Sequence, residues 1–386
     1  MSKIKIQGSA TGTGILTIQA PTTSTDRTMT IPDSDGTLLT TTGDGSSLTG
    51  IDALPTQTSN SGKVLMSDGT DASWVSAGRK NLIINGGFDV WQRGTSFSIG
   101  NNSVTYTADR WAVYSNGSSA RTATKQEAII NDNVSNALKF AITSPNNTDR
   151  EFRHKIEDLK RFSSQTLTLS YYAKASTSTS YKIETRRNYG SGGTTLVDTE
   201  HTTHTFTTSW QKFTTTFTIP DITGDTFGTG SSLDIMFKLD TIQTHDVYLT
   251  NVQLELGSVA TDFEHRSYGE ELALCQRYYQ RWNGISGDES PIAVICCKTG
   301  GSNSTGPLLF KGTMRGTPTM SYSQASDFQV LLGSGTLYTN LTSIGFADKG
   351  TDSCLIMPYI PSTSNNIPGT LRTGSSSAFI AADAEL

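Results

Sequence analysis

Apolar and polar residues alternate along most of this chain from Asn81 onward. Leu138, Phe140 and Ile142 recur at every second position, as do Leu167, Leu169, Tyr171 and Ala173. The same period links Phe213, Thr215, Phe217 and Ile219, then Ile235, Phe237 and Leu239. A last long run sets Tyr248, Thr250, Val252, Leu254 and Leu256 on one side. Successive side chains of a strand point to opposite faces, so each run predicts a strand buried on one face. Turn signals at Pro145-Asn146-Asn147, Gly190-Ser191-Gly192-Gly193 and Gly228-Thr229-Gly230 separate the strands. One-sided alternation without long intervening helices predicts two antiparallel sheets packed face to face over residues 79–266.

The flanks read differently. Residues 1–78 hold brief strands poor in apolar residues: Leu16–Pro21 and Met29–Pro32, each stopped by proline, then Gly62–Gly69 leading to Trp74-Val75. One such segment alone does not offset a backbone ordering cost of roughly 1–2 kcal/mol per residue. The expectation is a stalk in which several chains intertwine, with disorder as the alternative. Residues 267–386 open with a helix. Ser267 and Glu270 form a capping-box pattern, and Leu272, Cys275, Tyr279 and Trp282 make one apolar stripe ended by Asn283-Gly284. This helix either plugs the β domain or meets its copies on a trimer axis. Strands resume from Pro291, with polar loops at Lys298–Gly306 and Pro361–Ser377, as a small C-terminal β tip domain.

Between stalk and sandwich lies Asn81–Trp111. Here Leu82-Ile83-Ile84 stops at Asn85-Gly86-Gly87. Phe88, Trp91, Phe97, Tyr106 and Trp111 then alternate with Asp89, Arg93, Asp109 and Arg110. The segment reads as the keystone of the sandwich, its aromatics committed to packing.

Composition agrees with strands and turns. Of 386 residues 17% are charged and 34% hydrophobic, and Thr, Ser, Asn and Gly fill the deficit. A net charge of −5, with no basic cluster longer than Arg186-Arg187, argues against a nucleic-acid partner. No apolar run approaches the roughly 18 residues that span a membrane. Met1-Ser2-Lys3-Ile4 leads into no signal-like segment, so assembly in a cytoplasm without membrane insertion is expected. Cys275, Cys296, Cys297 and Cys354 form no CxxC pair and read as buried free thiols.

The string NLIINGGFDVWQRGTSF with YTADRW, at Asn81–Trp111, resembles bacteriophage tail fibre and related virion-fibre proteins. NVQLELGSVATDFEHRSYGEELALCQRYYQRW, PLLFKGTMRGTPTMSYS and the closing Ala382-Asp383-Ala384-Glu385-Leu386 extend the resemblance, as do TIPD and VLMSDGTDASW in the stalk. The resemblance implies a homotrimer, a location in the virion tail, docking to other tail proteins through the N-terminal region, and a distal part that binds a host surface glycan. The expected fold class is mainly β. It comprises a short intertwined β stalk, an antiparallel β-sandwich of jelly-roll, carbohydrate-binding-module-like type, one helix and a small C-terminal β domain. The shortness of the N-terminal part makes a short fibre, or a terminal piece docked on another protein, the expected form.

Catalysis and metals find little footing. Glu270-Glu271, Asp288-Glu289 and Asp383 with Glu385 read as solvated structural carboxylates. With no GxSxG elbow and no phosphate loop, an enzyme is not expected. In strand-like sequence His201 and His204 should face opposite ways, so no cofactor is expected there. A structural calcium would suit Asp132, Asp149 or Asp221 in loops. Sugars are held by aromatic faces flanked by amide, carboxylate and guanidinium groups, usually on loops of a rigid scaffold. The candidates are Arg186-Arg187-Asn188-Tyr189 beside the Gly190–Gly193 turn, then Asn303 and Tyr359. The expected function is a non-catalytic tail fibre that recognises host polysaccharide. The alternatives are a structural appendage such as a head fibre, collar or connector, and a polysaccharide-degrading tailspike.

Overall fold

The computed structural model describes residues 63–67, 72–76, 80–115, 120–130, 133–143, 150–239, 243–283, 291–296, 304–339, 341–360 and 368–386. Leu16–Pro21 and Met29–Pro32 lie outside the described residues. The chain divides into two compact units, residues 1–61 with 65–74 and residues 62–64 with 75–386. β1 Lys63–Ser67 and β2 Ala72–Ser76 pair as a two-stranded sheet. All other described elements belong to the second unit.

The sandwich strands are β3 Ser96–Ser98, β4 Ser103–Tyr106, β5 Trp111–Ser115, β6 Arg121–Ile130, β7 Asn133–Ile142 and β8 Arg150–Glu157. They continue as β9 Thr166–Ala175, β10 Thr179–Asn188, β11 Val197–Phe206, β12 Gln211–Thr218, β13 Ser232–Leu239 and β14 His245–Leu256. Among the described residues they form two six-stranded antiparallel sheets, β12-β9-β14-β7-β6-β3 and β11-β10-β13-β8-β5-β4, interleaved as in a jelly roll. The inner faces meet edge to face, Phe140 on Phe152 at 4.7 Å and Tyr171 on Phe237 at 4.9 Å between ring centroids. Leu138, Phe140, Ile142, Leu167, Leu169, Tyr171, Ala173, Ile235 and Phe237 are buried, as the alternation predicts.

Two bulges break that alternation. Thr250 pairs with Tyr172 but Gln253 with Ser170, so Asn251 and Val252 together oppose one residue of β9. Asn251 sits at φ 50°. The phase shifts there: Val247 and Leu249 face the core before the bulge, Val252 and Leu254 after it. Tyr248 and Thr250 thus belong to the outer face, contrary to the uninterrupted pattern. The register of β10 against β11 also slips between Ile183 and Glu184. His201 and His204 consequently both turn inward, His201 stacked on Phe217 at 4.3 Å and His204 on Phe213 at 4.9 Å, although strict alternation separates them.

The helix is shorter than its apolar stripe. α1 spans Tyr268–Gln276, and the capping box between Ser267 and Glu270 is complete. Beyond it come β15 Tyr279–Asn283, β16 Pro291–Cys296, β17 Gly306–Leu309, β18 Thr319–Tyr322 and β19 Phe328–Leu332. The last strands are β20 Leu337–Tyr338, β21 Ser343–Ala347, β22 Ser353–Tyr359, β23 Pro368–Thr373 and β24 Phe379–Asp383. Tyr279–Asn283 leaves the predicted helix because it pairs with β24, where its aromatics suit a pleated surface better than a helix end. The three sheets, β15-β24-β18, β16-β23-β19-β20 and β17-β22-β21, enclose a second core around Ile295, Phe328, Val330, Ile356, Leu371 and Ile380. Cys275 and Cys354 are buried and unbridged.

The keystone packs in part as expected: Phe88 and Trp111 are wholly buried, whereas Trp91, Phe97 and Tyr106 are half-buried. Asn85, at φ 58°, donates its side-chain amide to the carbonyls of Val90 (2.8 Å) and Asp109 (2.9 Å) and accepts the Val90 N–H (3.0 Å). Its own N–H donates to Glu271 Oε1 of α1 at 2.6 Å. A Cβ on Gly86 would lie 2.0 Å from the Val252 carbonyl oxygen, so only glycine lets this turn approach the β14 bulge. Glu271 and Glu385 are not solvated: Glu271 pairs with Arg266, while Glu385 pairs with Arg110 and Arg93.

Burial also fixes a pH dependence. His154, fully enclosed beside Trp111, has its pKa held well below the usual value, first by burial and then by Arg110. Burial lowers His201 and His204 too. A depressed histidine pKa means that the unfolded chain binds the proton more readily near pH 6.5, so this stability is present above that pH and lost below it. Asp109 acts in the opposite sense: burial pushes its pKa up to about 6, although Arg93 and the Gln92 hydrogen bonds pull it down. The melting temperature is therefore expected to fall as the pH drops from about 7.5 through 6.5 and to keep falling below it, with Asp109 offsetting part of the loss under about pH 6. Scanning calorimetry across this range checks it; a flat profile above pH 6 would refute neutral burial of the three histidines.

Candidate functional site

The Arg186–Tyr189 cluster is split by its strand. Arg186 faces outward and is held by Asp198 through two bonds, Nε at 2.6 Å and Nη2 at 2.8 Å. Asn188 Oδ1 accepts the Gly190 N–H at 3.0 Å. Arg187 is half-buried, opposite Val197 and Leu233. Tyr189 keeps the inward parity of Tyr181 and Ile183 and packs on Phe227 at 5.5 Å. Burial and a hydrogen bond with Asp225 push its pKa up to about 12. With 2% of its surface exposed, Tyr189 offers no stacking face, which corrects that expectation. The glycine turn is itself closed, Ser191 pairing with Thr229. Tyr359 stands exposed at the end of β22, on a different sheet, with no ring contact or hydrogen bond to the Arg186 cluster among the described residues. Asn303, Asp132 and Asp149 lie outside the described residues. Asp221 accepts from Thr223 and Ser163. Among the described residues no three His, Cys, Asp or Glu side chains converge as a metal-ligand set.

The structure assembles a different group on the outer face of the sheet that contains β9. Inward Leu169, Tyr171 and Ala173 leave Tyr172 and Lys174 pointing out, and inward Phe213 leaves Trp210 and Lys212 out. Pairing places Lys174 opposite Tyr248, Tyr248 opposite Lys139 and Tyr172 opposite Lys212. Trp210 and Tyr248 meet at 6.3 Å, and Lys174 Nζ lies 5.2 Å and 4.9 Å from their ring centroids. Lys139 Nζ lies 5.7 Å from the Tyr248 ring and pairs with Asp246 at 2.8 Å. The hydrogen bond to Asp246 raises the Lys139 pKa.

Beside this row runs a groove of about 370 Å³ lined by Tyr172, Lys212, Asn251, Asp262, Phe263 and His265. The β14 bulge supplies one wall. The other is the segment after β14, which folds back over the sheet because Gln253 and Glu255 need partners there. Gln253 Nε2 donates to the Asp262 carbonyl at 3.0 Å, Gln253 Oε1 accepts the Glu264 N–H at 2.8 Å, and Glu255 accepts the Thr261 N–H at 3.0 Å. The result is a rigid surface of aromatic faces flanked by ammonium, amide and carboxylate groups. Such a surface can stack on the C–H faces of sugars and bond their hydroxyls. Period-two parity would have placed Trp210, Tyr172 and Lys174 on this face, a signal the sequence reading did not use; Tyr248 was hidden by the bulge.

No family model matches the chain, and no curated protein matches it. Several solved structures do align with it. A CBM4 module matches at 21% identity over 45% of this chain and 99% of the module, with a TM-score of 0.31. A family 11 carbohydrate-binding module from Clostridium thermocellum, in complex with a β-1,3-1,4-mixed-linked tetrasaccharide, matches at 11% identity over 44% of this chain and 98% of its own, with a TM-score of 0.28. The enzymatically active domain of tailspike protein 4 of bacteriophage CBA120 matches at 13% identity over 46% of this chain and 21% of its own, with a TM-score of 0.28.

Proposed function

We propose that this protein is a non-catalytic virion fibre of the phage tail that binds host surface polysaccharide. The observation that carries the reading is the outer-face row Trp210–Lys174–Tyr248–Lys139 with its adjoining groove, a half-buried aromatic and cationic surface on the outer face of a sheet. The fibre-like strings at Asn81–Trp111 and Asn251–Trp282 support the virion assignment. In a homotrimer three such surfaces act together, so each needs only weak affinity for its glycan.

Purified protein added before infection is expected to block phage adsorption to host cells. A Trp210→Ala, Tyr248→Ala double variant is expected to need on the order of tenfold more protein or worse, since each ring pair contributes about 0.5–1.5 kcal/mol beyond its buried area. Unimpaired blocking by the double variant removes this face as the receptor site. Unaffected adsorption at saturating wild-type protein removes the receptor-binding reading.

A further inference from the structure

Trp91 was expected to be core, yet it is only half-buried. Its indole N–H donates to the Phe88 carbonyl at 2.7 Å, and its ring stacks on Phe97 at 6.3 Å. Its remaining surface lines a cleft of about 270 Å³ with Tyr268 and Leu272 of α1, Gln276, Arg281 and Lys311. Tyr268 is 60% exposed at the start of α1. The cleft therefore has an aromatic residue on each of two elements, an apolar contact from Leu272 and an amide from Gln276.

Its charge is one-sided. Neither Arg281 nor Lys311 forms a salt bridge among the described residues. Arg281 Nη1 donates to the Arg93 carbonyl at 2.9 Å, and its Nε is buried without a partner. Lys311 Nζ donates to the Arg281 carbonyl at 2.8 Å. No carboxylate lines the cleft. The neighbouring Asp109 is taken by Gln92, whose N–H donates at 2.9 Å and whose side-chain amide donates at 2.5 Å. Arg281 rests on the Phe379 ring at 4.2 Å and Lys311 near the Trp282 ring at 5.6 Å, both rings outside the cleft lining. Two cations without a carboxylate partner thus share the cleft with Trp91 and Tyr268, which suits an anion carried on a flat, partly apolar ring. The volume lies just below the roughly 300 Å³ at which small-ligand sites begin, which suits one ring rather than a chain.

We infer that this cleft is a second glycan subsite, which takes a single acidic sugar ring with its carboxylate or phosphate against Arg281 and Lys311. It shares no lining residue with the groove beside Tyr172. Saturation-transfer NMR on the full chain tests it with three probes: glucuronate, glucose 6-phosphate and glucose. Binding of at least one anionic probe about tenfold tighter than glucose is expected; glucuronate alone identifies the carboxylate as the recognised group, and glucose 6-phosphate alone identifies the phosphate. The signal is expected to weaken about tenfold in Lys311→Gln and in Tyr268→Ala, and to persist in Trp210→Ala. Both substitutions are at exposed positions, and an unchanged melting temperature confirms that they fold; if one does not, the other carries the test. The inference is overturned if neither anion binds, if glucose binds equally, if neither variant weakens binding, or if Trp210→Ala alone abolishes it. The sheet-face reading survives each of the first three results.

Discussion

Glu385→Gln is expected to destabilise the protein by about 3–5 kcal/mol, although it preserves shape and removes only a charge. Arg110 is 1% exposed, with its guanidinium 3.5 Å from the Tyr278 ring centroid and its Nη2 donating to the Lys155 carbonyl at 2.6 Å. The ion pair with Glu385 compensates its burial. Arg93 shares the same carboxylate at 3.4 Å, lies 3.5 Å from the Tyr279 ring and reaches Asp383 at 3.1 Å. Neutralising Glu385 leaves Arg110 without its carboxylate in a place water does not reach. An exposed pair would matter far less, typically under about 1 kcal/mol, so the measurement discriminates between burial and surface decoration. Denaturant unfolding with a double-mutant cycle of Arg110→Ala and Glu385→Ala should return a coupling above about 1 kcal/mol. A loss of less than that in Glu385→Gln would mean that the keystone charges are solvated in solution.

Trp111→Ala is expected to cost at least as much, about 3–5 kcal/mol, with loss of soluble protein a natural outcome. The side chain is wholly buried between Phe88 at 5.0 Å, His154 at 5.1 Å and Phe237 at 6.3 Å. Its indole N–H donates to the Asn85 carbonyl at 3.0 Å, which also accepts the Phe88 N–H at 3.1 Å, so truncation opens a cavity and removes one of that carbonyl's two hydrogen bonds. Trp111→Phe should cost less, because it refills most of the cavity and loses only the indole's hydrogen bond to a carbonyl that keeps its bond from the Phe88 N–H. Unfolding midpoints in denaturant order the two variants. Equal losses would show that the hydrogen bond outweighs the packing.

Much of the sandwich was legible because its strands follow a period of two over long stretches. β7 and β9 bury every residue that alternation selects, and β12 and β13 all but Phe213 and Leu239, which are half-buried. The failures share a cause. A bulge shifts phase without changing composition, so nothing in Tyr248–Leu256 or Glu200–His204 announces where parity reverses. The helix stripe through Tyr279 and Trp282 was real as a pattern, yet pairing with a strand a hundred residues onward decided the conformation. Tyr189 looked like a loop aromatic, and only the parity carried from Tyr181 through Ile183 shows that it points inward. Parity would equally have exposed Trp210, Tyr172 and Lys174, since their neighbours are the predicted core. The groove beside them was not legible, because its far wall comes from a segment that turns back to satisfy Gln253 and Glu255.

The pairing of Arg93 with Asp383 also sets an order of events during synthesis, because the two residues are 290 positions apart. A ribosome adding about 5–20 residues per second needs roughly 15–60 s to cover that distance. Throughout that interval the nascent sandwich carries Arg93 and Arg110 without their late carboxylates, so the keystone cannot reach its final electrostatic state. The wait falls unevenly: Arg93 has Asp109 at 3.9 Å from early in synthesis, whereas Arg110 pairs only with Glu385 among the described residues, so Arg110 is the group whose burial must await the late strand.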